Sequence, residues 1–147
     1  MKVNQILRTT KPVKIEFTGA TLLSVPEYLA TCKRIPGMNQ KWWLRSKSFD
    51  NNVDIVNEEG DIANEYCGNC DIYIRPALKI ADIDKTELNI GDKFVINDTE
   101  FIIISDDYAI TVYDIGMDRF DYCRNDYDKS EIKEMLKTWY IALTKED

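Results

Sequence analysis

The sequence predicts an α+β fold in which small twisted antiparallel sheets pack with two short helices. In the second half, "KFVIN", "EFIIIS" and "YAITVYDI" are strand patterns separated by short Asn/Asp turns. The segment "SEIKEMLKTWYIAL" places Ile132, Met135, Leu136 and Trp139 at helical spacing, with Ser130 or Asp128 as the cap. A chain of 147 residues that is 44% apolar is long enough to bury a core of this kind.

The first half contributes a strand, the other helix and further strands. "VKIEFTGATLLS" predicts a strand, and the helix after it starts with a capping box formed by Ser24 and Glu27. We expect Val25, Leu29 and Cys32 to form the inward face of that helix. Short strands then follow around "KWWLRS", "VDIV" and "DIYIRPALKI".

Several large or charged residues in these strands are expected in the interior. Trp42, Trp43 and Leu44 are predicted core residues, with a surface aromatic contact at one tryptophan as the alternative. Arg45 and Arg75 are expected to pair with carboxylates or carbonyls at the edge of the core. The polar connector "ADIDKTELNIGD" separates two sub-modules, residues 1–80 and 83–147, within one predicted domain, 1–147.

Composition restricts the compartment and the chemistry. There is no apolar run of 18 residues and no signal-peptide pattern, so we expect a cytoplasmic protein without a membrane span. The chain has no histidine, which excludes catalytic triads built on histidine. Carboxylate clusters such as "NEEGD", "SDD" and "RNDYD" fit solvated turns, and phosphate-loop and nucleic-acid-binding motifs are missing from the sequence. We therefore expect a protein that is not an enzyme and does not bind nucleic acid directly.

The motif "CGNC" allows three interpretations: a redox pair, a zinc knuckle, or small residues in a turn. A redox pair needs a helix after the motif, whereas "DIYIRPALKI" has a strand pattern. A zinc knuckle on Cys67 and Cys70 needs two more ligands, and the remaining cysteines are Cys32 and Cys123, with Asp71 a nearby carboxylate. We predict a structural zinc site on the four cysteines, and the small-residue interpretation stays open.

The segments "LLSVPEYLATCKRIPGMNQKWWLRS", "VDIVNEEGDI" and "YIRPALKI" resemble an uncharacterised family of phage and gut-bacterial domains. The segment "IGDKFVINDTEFIIISDDYAITVYDIG" with its following helix also resembles that family, although larger relatives carry the two halves in the opposite order. The resemblance implies a C-type-lectin-like α+β fold. The calcium-ligand motifs of such lectins are missing from this sequence, so calcium-dependent sugar binding is not expected.

Charge is unevenly distributed along the chain. Residues 1–48 hold nine Lys/Arg and two Asp/Glu, whereas residues 49–147 hold ten and twenty-four, a balance of −14. An acidic segment of this kind favours a basic protein partner, with solubility alone as the alternative. In size and acidity the chain resembles anti-CRISPR proteins of phages, which implies inhibition of a type II nuclease, Cas9, in the host cytoplasm. The other hypothesis is a lectin-like ligand-binding or virion-associated module.

The candidate partner contacts are six acidic residues and two aromatic anchors. They are Glu58, Glu59, Asp106, Asp107, Asp126 and Asp128, with Trp43 and Tyr108 as the anchors.

We expect the purified, reduced protein to carry about one zinc ion per chain, and Cys67→Ser to lower the free energy of unfolding by several kcal/mol because binding of the metal contributes to folding. Elemental analysis and thermal unfolding measure the two effects. A folded sample without metal, or an unchanged melting temperature, would support the small-residue interpretation instead.

Overall fold

Two antiparallel sheets and two α-helices make up the part of the chain that the structure describes, residues 2–3, 5–6, 13–31, 34–83 and 89–145 of a computed structural model. This arrangement confirms the predicted α+β class. The strands are β1 (Lys2–Val3), β2 (Gln5–Ile6), β3 (Val13–Thr21), β4 (Trp42–Lys47), β5 (Asn52–Val56), β6 (Ile62–Tyr66), β7 (Ala77–Ile83), β8 (Lys93–Ile96), β9 (Thr99–Ile103) and β10 (Tyr108–Thr111). The helices are α1 (Val25–Leu29) and α2 (Glu131–Leu143), with a 3₁₀ turn at Tyr127–Lys129.

The larger sheet is curled, and one N-terminal segment of the chain pairs with strands at both of its edges. Its order is β1-β3-β7-β10-β9-β8-β2, and every pair is antiparallel. Lys2 and Val3 pair with β3 at one edge, whereas Gln5 and Ile6 pair with β8 at the other. Because β1 and β2 lie only one residue apart, they draw both edges together and give the sheet a barrel-like shape.

The β8–β9 hairpin has the tight Asn/Asp turn that the sequence predicts. Ile96 pairs with Thr99, and the two loop residues Asn97 and Asp98 have φ angles of 45° and 67°. Positive φ at both loop positions is the backbone geometry whose twist matches the flanking strands, and Asn and Asp tolerate it better than most residues.

Aromatic rings fill the inside of the curled sheet. Phe94 and Phe101 stack with their centroids 5.3 Å apart, and Phe17 stacks on Phe94 at 5.9 Å. Helix α2 packs against this cluster through Trp139 and Leu143. The helix begins at Ser130, whose side chain accepts a hydrogen bond from the Lys133 N–H, as expected for its cap.

In the smaller sheet, β4-β5-β6, strand β4 is buried on both faces at Trp42, Trp43 and Leu44. Trp43 packs with Ile132 and Leu136 of α2, and its indole N–H donates to the Asp118 carbonyl at 2.8 Å. Trp42, the neighbour of Trp43 on β4, packs in a separate cluster with residues of the larger sheet. The predicted burial of both tryptophans is therefore confirmed.

Arg75 connects the two sheets from a fully buried position. Its Nε donates to the Thr111 carbonyl at 2.8 Å and its Nη2 to the Val112 carbonyl at 3.0 Å. The guanidinium also lies 5.2 Å from the centroid of the Trp42 ring. Burial lowers the pKa of Arg75 to about 10, so it still carries its charge at neutral pH. The expected pairing of this arginine with carbonyls is confirmed.

Helix α1 is shorter than the sequence indicates. The capping box of Ser24 and Glu27 is present, but the helix ends at Leu29, where the Thr31 hydroxyl donates to the Tyr28 carbonyl at 2.7 Å. Leu29 is 60% exposed, so its predicted inward orientation is wrong. Cys32, the third residue of that expected face, lies outside the described residues.

The two proposed sub-modules share the larger sheet. Strand β7 of the first pairs with β10 of the second, and Leu78 packs in one cluster with Phe94 and Phe101. The chain order of the halves thus does not prevent them from contributing to common cores.

We expect the isolated segment 83–147 not to fold cooperatively, because it would expose the faces that Ile15 and Leu78 cover in the whole chain. Thermal unfolding and amide proton dispersion would be compared with those of residues 1–147. A sharp unfolding transition with well-dispersed amide signals in the isolated segment would contradict this expectation.

Candidate functional site

Glu27 in α1 is the centre of a charged cluster that joins three elements. Its carboxylate accepts hydrogen bonds from the Arg45 guanidinium of β4 and from the Tyr108 hydroxyl of β10. It also accepts one from the Ser24 N–H at 2.8 Å. Burial alone would raise the pKa of Glu27, but these hydrogen bonds lower it to about 2. Glu27 is therefore ionised at neutral pH and fixes the positions of both side chains.

The partners of Glu27 are themselves well held. The Arg45 Nη1 also donates to the Leu22 carbonyl at 2.7 Å. Burial and the bond to Glu27 raise the pKa of Tyr108 to about 12, so its hydroxyl remains a hydrogen-bond donor. The sequence had indicated the pairing of Arg45 and, separately, Tyr108 as a contact residue, but not that one carboxylate joins them.

One acidic turn contacts α1 through Tyr28. The turn connects β5 to β6 and carries Glu58 and Glu59, both exposed. The Tyr28 hydroxyl donates to the Gly60 carbonyl at 2.6 Å, and the Asn57 side chain accepts from the Glu59 N–H at 3.0 Å. These bonds hold the turn, and therefore its two carboxylates, beside the helix.

A second acidic turn contacts α1 through Glu27. Asp106 and Asp107 are exposed between β9 and β10, directly before Tyr108, whose hydroxyl bonds to Glu27. The Ser105 hydroxyl accepts from the backbone N–H groups of Asp107 and Tyr108 and shapes this turn. Since a five-residue helix is only ~7.5 Å long, both turns lie around the same short element.

Asp126 and Asp128 are near this region, because they line the same cleft as Tyr108. The Asp126 carboxylate accepts from the Asp128 N–H at 3.1 Å and begins the 3₁₀ turn. The Asp128 side chain is 84% exposed, 3.5 Å from the Lys133 ammonium. We call Glu58, Glu59, Asp106, Asp107, Asp126 and Asp128 the acidic face.

Two aromatic anchors were predicted, and the prediction for Trp43 is wrong. Its side chain is fully buried in the core, so no partner can reach it without unfolding. The reason is that β4 places Trp43 under α2 rather than towards solvent. Tyr108 is half-buried and lines the cleft, where part of its ring can be contacted.

The structure describes three of the four cysteines. Cys67 is buried and packs with apolar side chains, whereas Cys70 and Cys123 are exposed. Cys32 lies outside the described residues. In the described ranges, no three or more cysteine or carboxylate side chains are grouped closely enough to hold a metal ion. The zinc site on the four cysteines stays a prediction.

The local structure around "CGNC" contains the predicted tight turn. The Asn69 N–H donates to the Tyr66 carbonyl at 3.0 Å, and residues 71–76 after the turn are not helical. The Cys67 carbonyl accepts from the Phe120 N–H at 2.9 Å, which brings the loop of Cys123 to this turn. Burial, with the negative charge of nearby Asp121, raises the pKa of the Cys67 thiol. A thiolate at this position would therefore need a cation to stabilise it.

Comparisons with protein-family models, with curated proteins and with solved structures found no match. The resemblance to phage and gut-bacterial domains, with its C-type-lectin-like fold, therefore stays a prediction. Within the described residues, no helix has both the length and the apolar character needed to cross a membrane.

We expect Glu27→Gln to lower the free energy of unfolding at neutral pH by about 1–2 kcal/mol, because it removes the charge that Arg45 faces. The pKa of Glu27 is depressed, so its stabilisation is present above the unfolded pKa and is lost as pH falls from about 4.5 to about 2. Urea unfolding at neutral and acidic pH measures both effects.

The matched control is Glu59→Gln, which removes the same charge from an exposed turn and should change stability by no more than about 0.5 kcal/mol. If Glu27→Gln kept the full acid dependence of the wild-type protein, the role assigned to the Glu27 cluster would be wrong.

Proposed function

We propose that this protein binds a basic protein partner through the acidic face and thereby inhibits a type II CRISPR nuclease, Cas9, in the host cytoplasm. The observation that carries the proposal is the position of the two acidic turns, which contact α1 through Tyr28 and Glu27. Carboxylates that are distant in the sequence are thus held beside the same short helix. Nucleases of this class hold nucleic acid in positively charged channels, which such a surface complements.

The region around α1 also offers an apolar contact. Leu29 is 60% exposed at the end of the helix, next to Tyr28, whose hydroxyl bonds to the first acidic turn. Protein interfaces usually have an apolar centre surrounded by charged residues. Salt affects the affinity contributed by the apolar centre very little, whereas the charged rim increases the rate of association.

The Glu27 cluster supports a binding role rather than catalysis. A general base works best with a pKa near the working pH, whereas the pKa of Glu27 is about 2. Its bonds to Arg45 and Tyr108 hold α1, β4 and β10 together instead of exposing a reactive group. We therefore propose a non-enzymatic protein that does not bind nucleic acid directly, with zinc, if bound, as a structural ion.

A lectin-like ligand-binding or virion-associated module is the second candidate. The open polar cleft beside Tyr108 favours it, since small polar ligands bind in concave sites of this size. Capture of a Cas9-type nuclease from a host lysate would support the first candidate and would not be expected of the second.

We expect the protein to inhibit DNA cleavage by a type II nuclease, and inhibition to weaken as salt is raised because screening shortens the range of charge interactions. Glu58→Gln with Glu59→Gln, combined with Asp106→Asn and Asp107→Asn, should weaken binding about tenfold, since each exposed pair contributes about 0–1 kcal/mol. Addition before and after guide and target loading shows which nuclease state is bound.

The control removes two charges elsewhere with Asp98→Asn and Glu134→Gln, both at exposed positions, and should leave inhibition unchanged. If no type II nuclease tested is inhibited and none is captured from a lysate, the inhibitor proposal fails.

A further inference from the structure

A cleft of about 490 Å³ opens beside Tyr108, where β3, β4, β7 and the start of α2 meet. Although the protein carries a net charge of −7, this cleft is lined by more cations than anions. The cations are Arg45, Lys47, Lys79 and Lys133, and the anions are Asp126 and Asp128. The lining balance is therefore +2, opposite in sign to the whole protein.

The two carboxylates of the cleft are already engaged. Asp126 accepts a hydrogen bond from the Asp128 N–H, and Asp128 lies 3.5 Å from the Lys133 ammonium with most of its side chain in water. Arg45 is likewise neutralised by Glu27. After these two ion pairs, the remaining charges are those of Asp126 and of the exposed lysines Lys47 and Lys79, which come from strands of different sheets, so the cleft keeps an excess of positive charge.

The cleft lining also includes hydroxyl groups, which add hydrogen-bond donors. The Ser46 oxygen accepts from the Val25 N–H at 2.9 Å, and the Ser24 oxygen accepts from the Glu27 N–H at 3.2 Å. Each oxygen is positioned as an acceptor, so its own hydrogen can be donated to a ligand. Cations and hydroxyl donors that line one cleft match the oxygens of a phosphate group.

Asn125 holds another part of the cleft lining in place. Its amide nitrogen lies within hydrogen-bonding distance of the carbonyls of Ser48, Asp50 and Asn52, at 3.2, 2.9 and 3.1 Å. This ties the loop before α2 to the β4–β5 connection. Asn125 also lines the cleft, so hydrogen-bonded backbone fixes this part of the lining, as in the preformed sites that bind small ligands.

We propose that this cleft binds a small phosphate monoester. Its volume falls in the range of small-ligand sites, ~300–1,000 Å³, and exceeds what a phosphate group alone fills. The phosphate would lie against Lys47 and Lys79, with the Ser24 and Ser46 hydroxyls as further donors. The cleft shares Tyr108, Asp126 and Asp128 with the partner contacts proposed above, but the phosphate site rests on Lys47 and Lys79 and does not depend on nuclease inhibition. It gives the ligand-binding candidate a chemical class of ligand.

The test is an amide NMR titration of the whole protein with inorganic phosphate, glucose 6-phosphate and adenosine 5′-monophosphate. Glucose and adenosine are the uncharged counterparts. Saturable shifts of cleft amides such as those of Ser46 and Lys79 are expected with the phosphate compounds alone. Tighter binding of one ester identifies a sugar phosphate or a nucleotide as the source, whereas equal binding of inorganic phosphate points to free phosphate and would overturn the monoester.

Charge-removing variants separate the cleft from general attraction. Lys47→Gln and Lys79→Gln should each weaken binding about two- to fivefold, and together about tenfold. Lys93→Gln removes the same charge from β8, outside the cleft, and should leave affinity unchanged. Unshifted amides elsewhere in the spectrum verify that each variant is folded. Absence of saturable binding, or equal losses in the Lys93 and Lys79 variants, would overturn the proposal.

Discussion

The contact between Arg75 and the carbonyls of Thr111 and Val112 is the constraint on which the two-sheet arrangement depends. A guanidinium that is fully removed from water must have its donors satisfied, and here the end of β10 satisfies them. The same group lies over the Trp42 ring, which belongs to the other sheet. One buried cation thereby connects the two sheets, and Tyr28 of α1 packs edge-on against the same Trp42 ring.

Features encoded within a few residues could be predicted from the sequence. The Ser24–Glu27 capping box, the Asn97–Asp98 turn and the apolar stripe of α2 each depend on neighbours in the chain, and the structure contains all three. The α+β class follows from these local signals. The early end of α1 could not be predicted, because it depends on the Thr31 side chain competing for a backbone carbonyl.

The candidate site was only partly predictable, because its parts meet through long-range contacts. Tyr108 lies 81 residues from Glu27 in the sequence, and no spacing rule relates them. The sequence predicted Trp42 and Trp43 as core residues but left a surface contact at one of them open. Neighbours in a strand face opposite sides, and distant elements cover both sides of β4 here, which removes Trp43 from the surface. The sequence did not indicate that Lys47 and Lys79 share a cleft, since each is an ordinary polar residue of its own strand.

The bridging of both sheet edges by residues 2–6 has a consequence for the order of folding during synthesis. Gln5 pairs with Val95, so this contact cannot form until 90 further residues have been made. At translation rates of about 5–20 residues per second, β2 waits roughly 5–18 s for its partner strand, whereas β1 can pair with β3 much earlier. Until then β2 is an unpaired strand, and unpaired strands are sites where chains can associate wrongly.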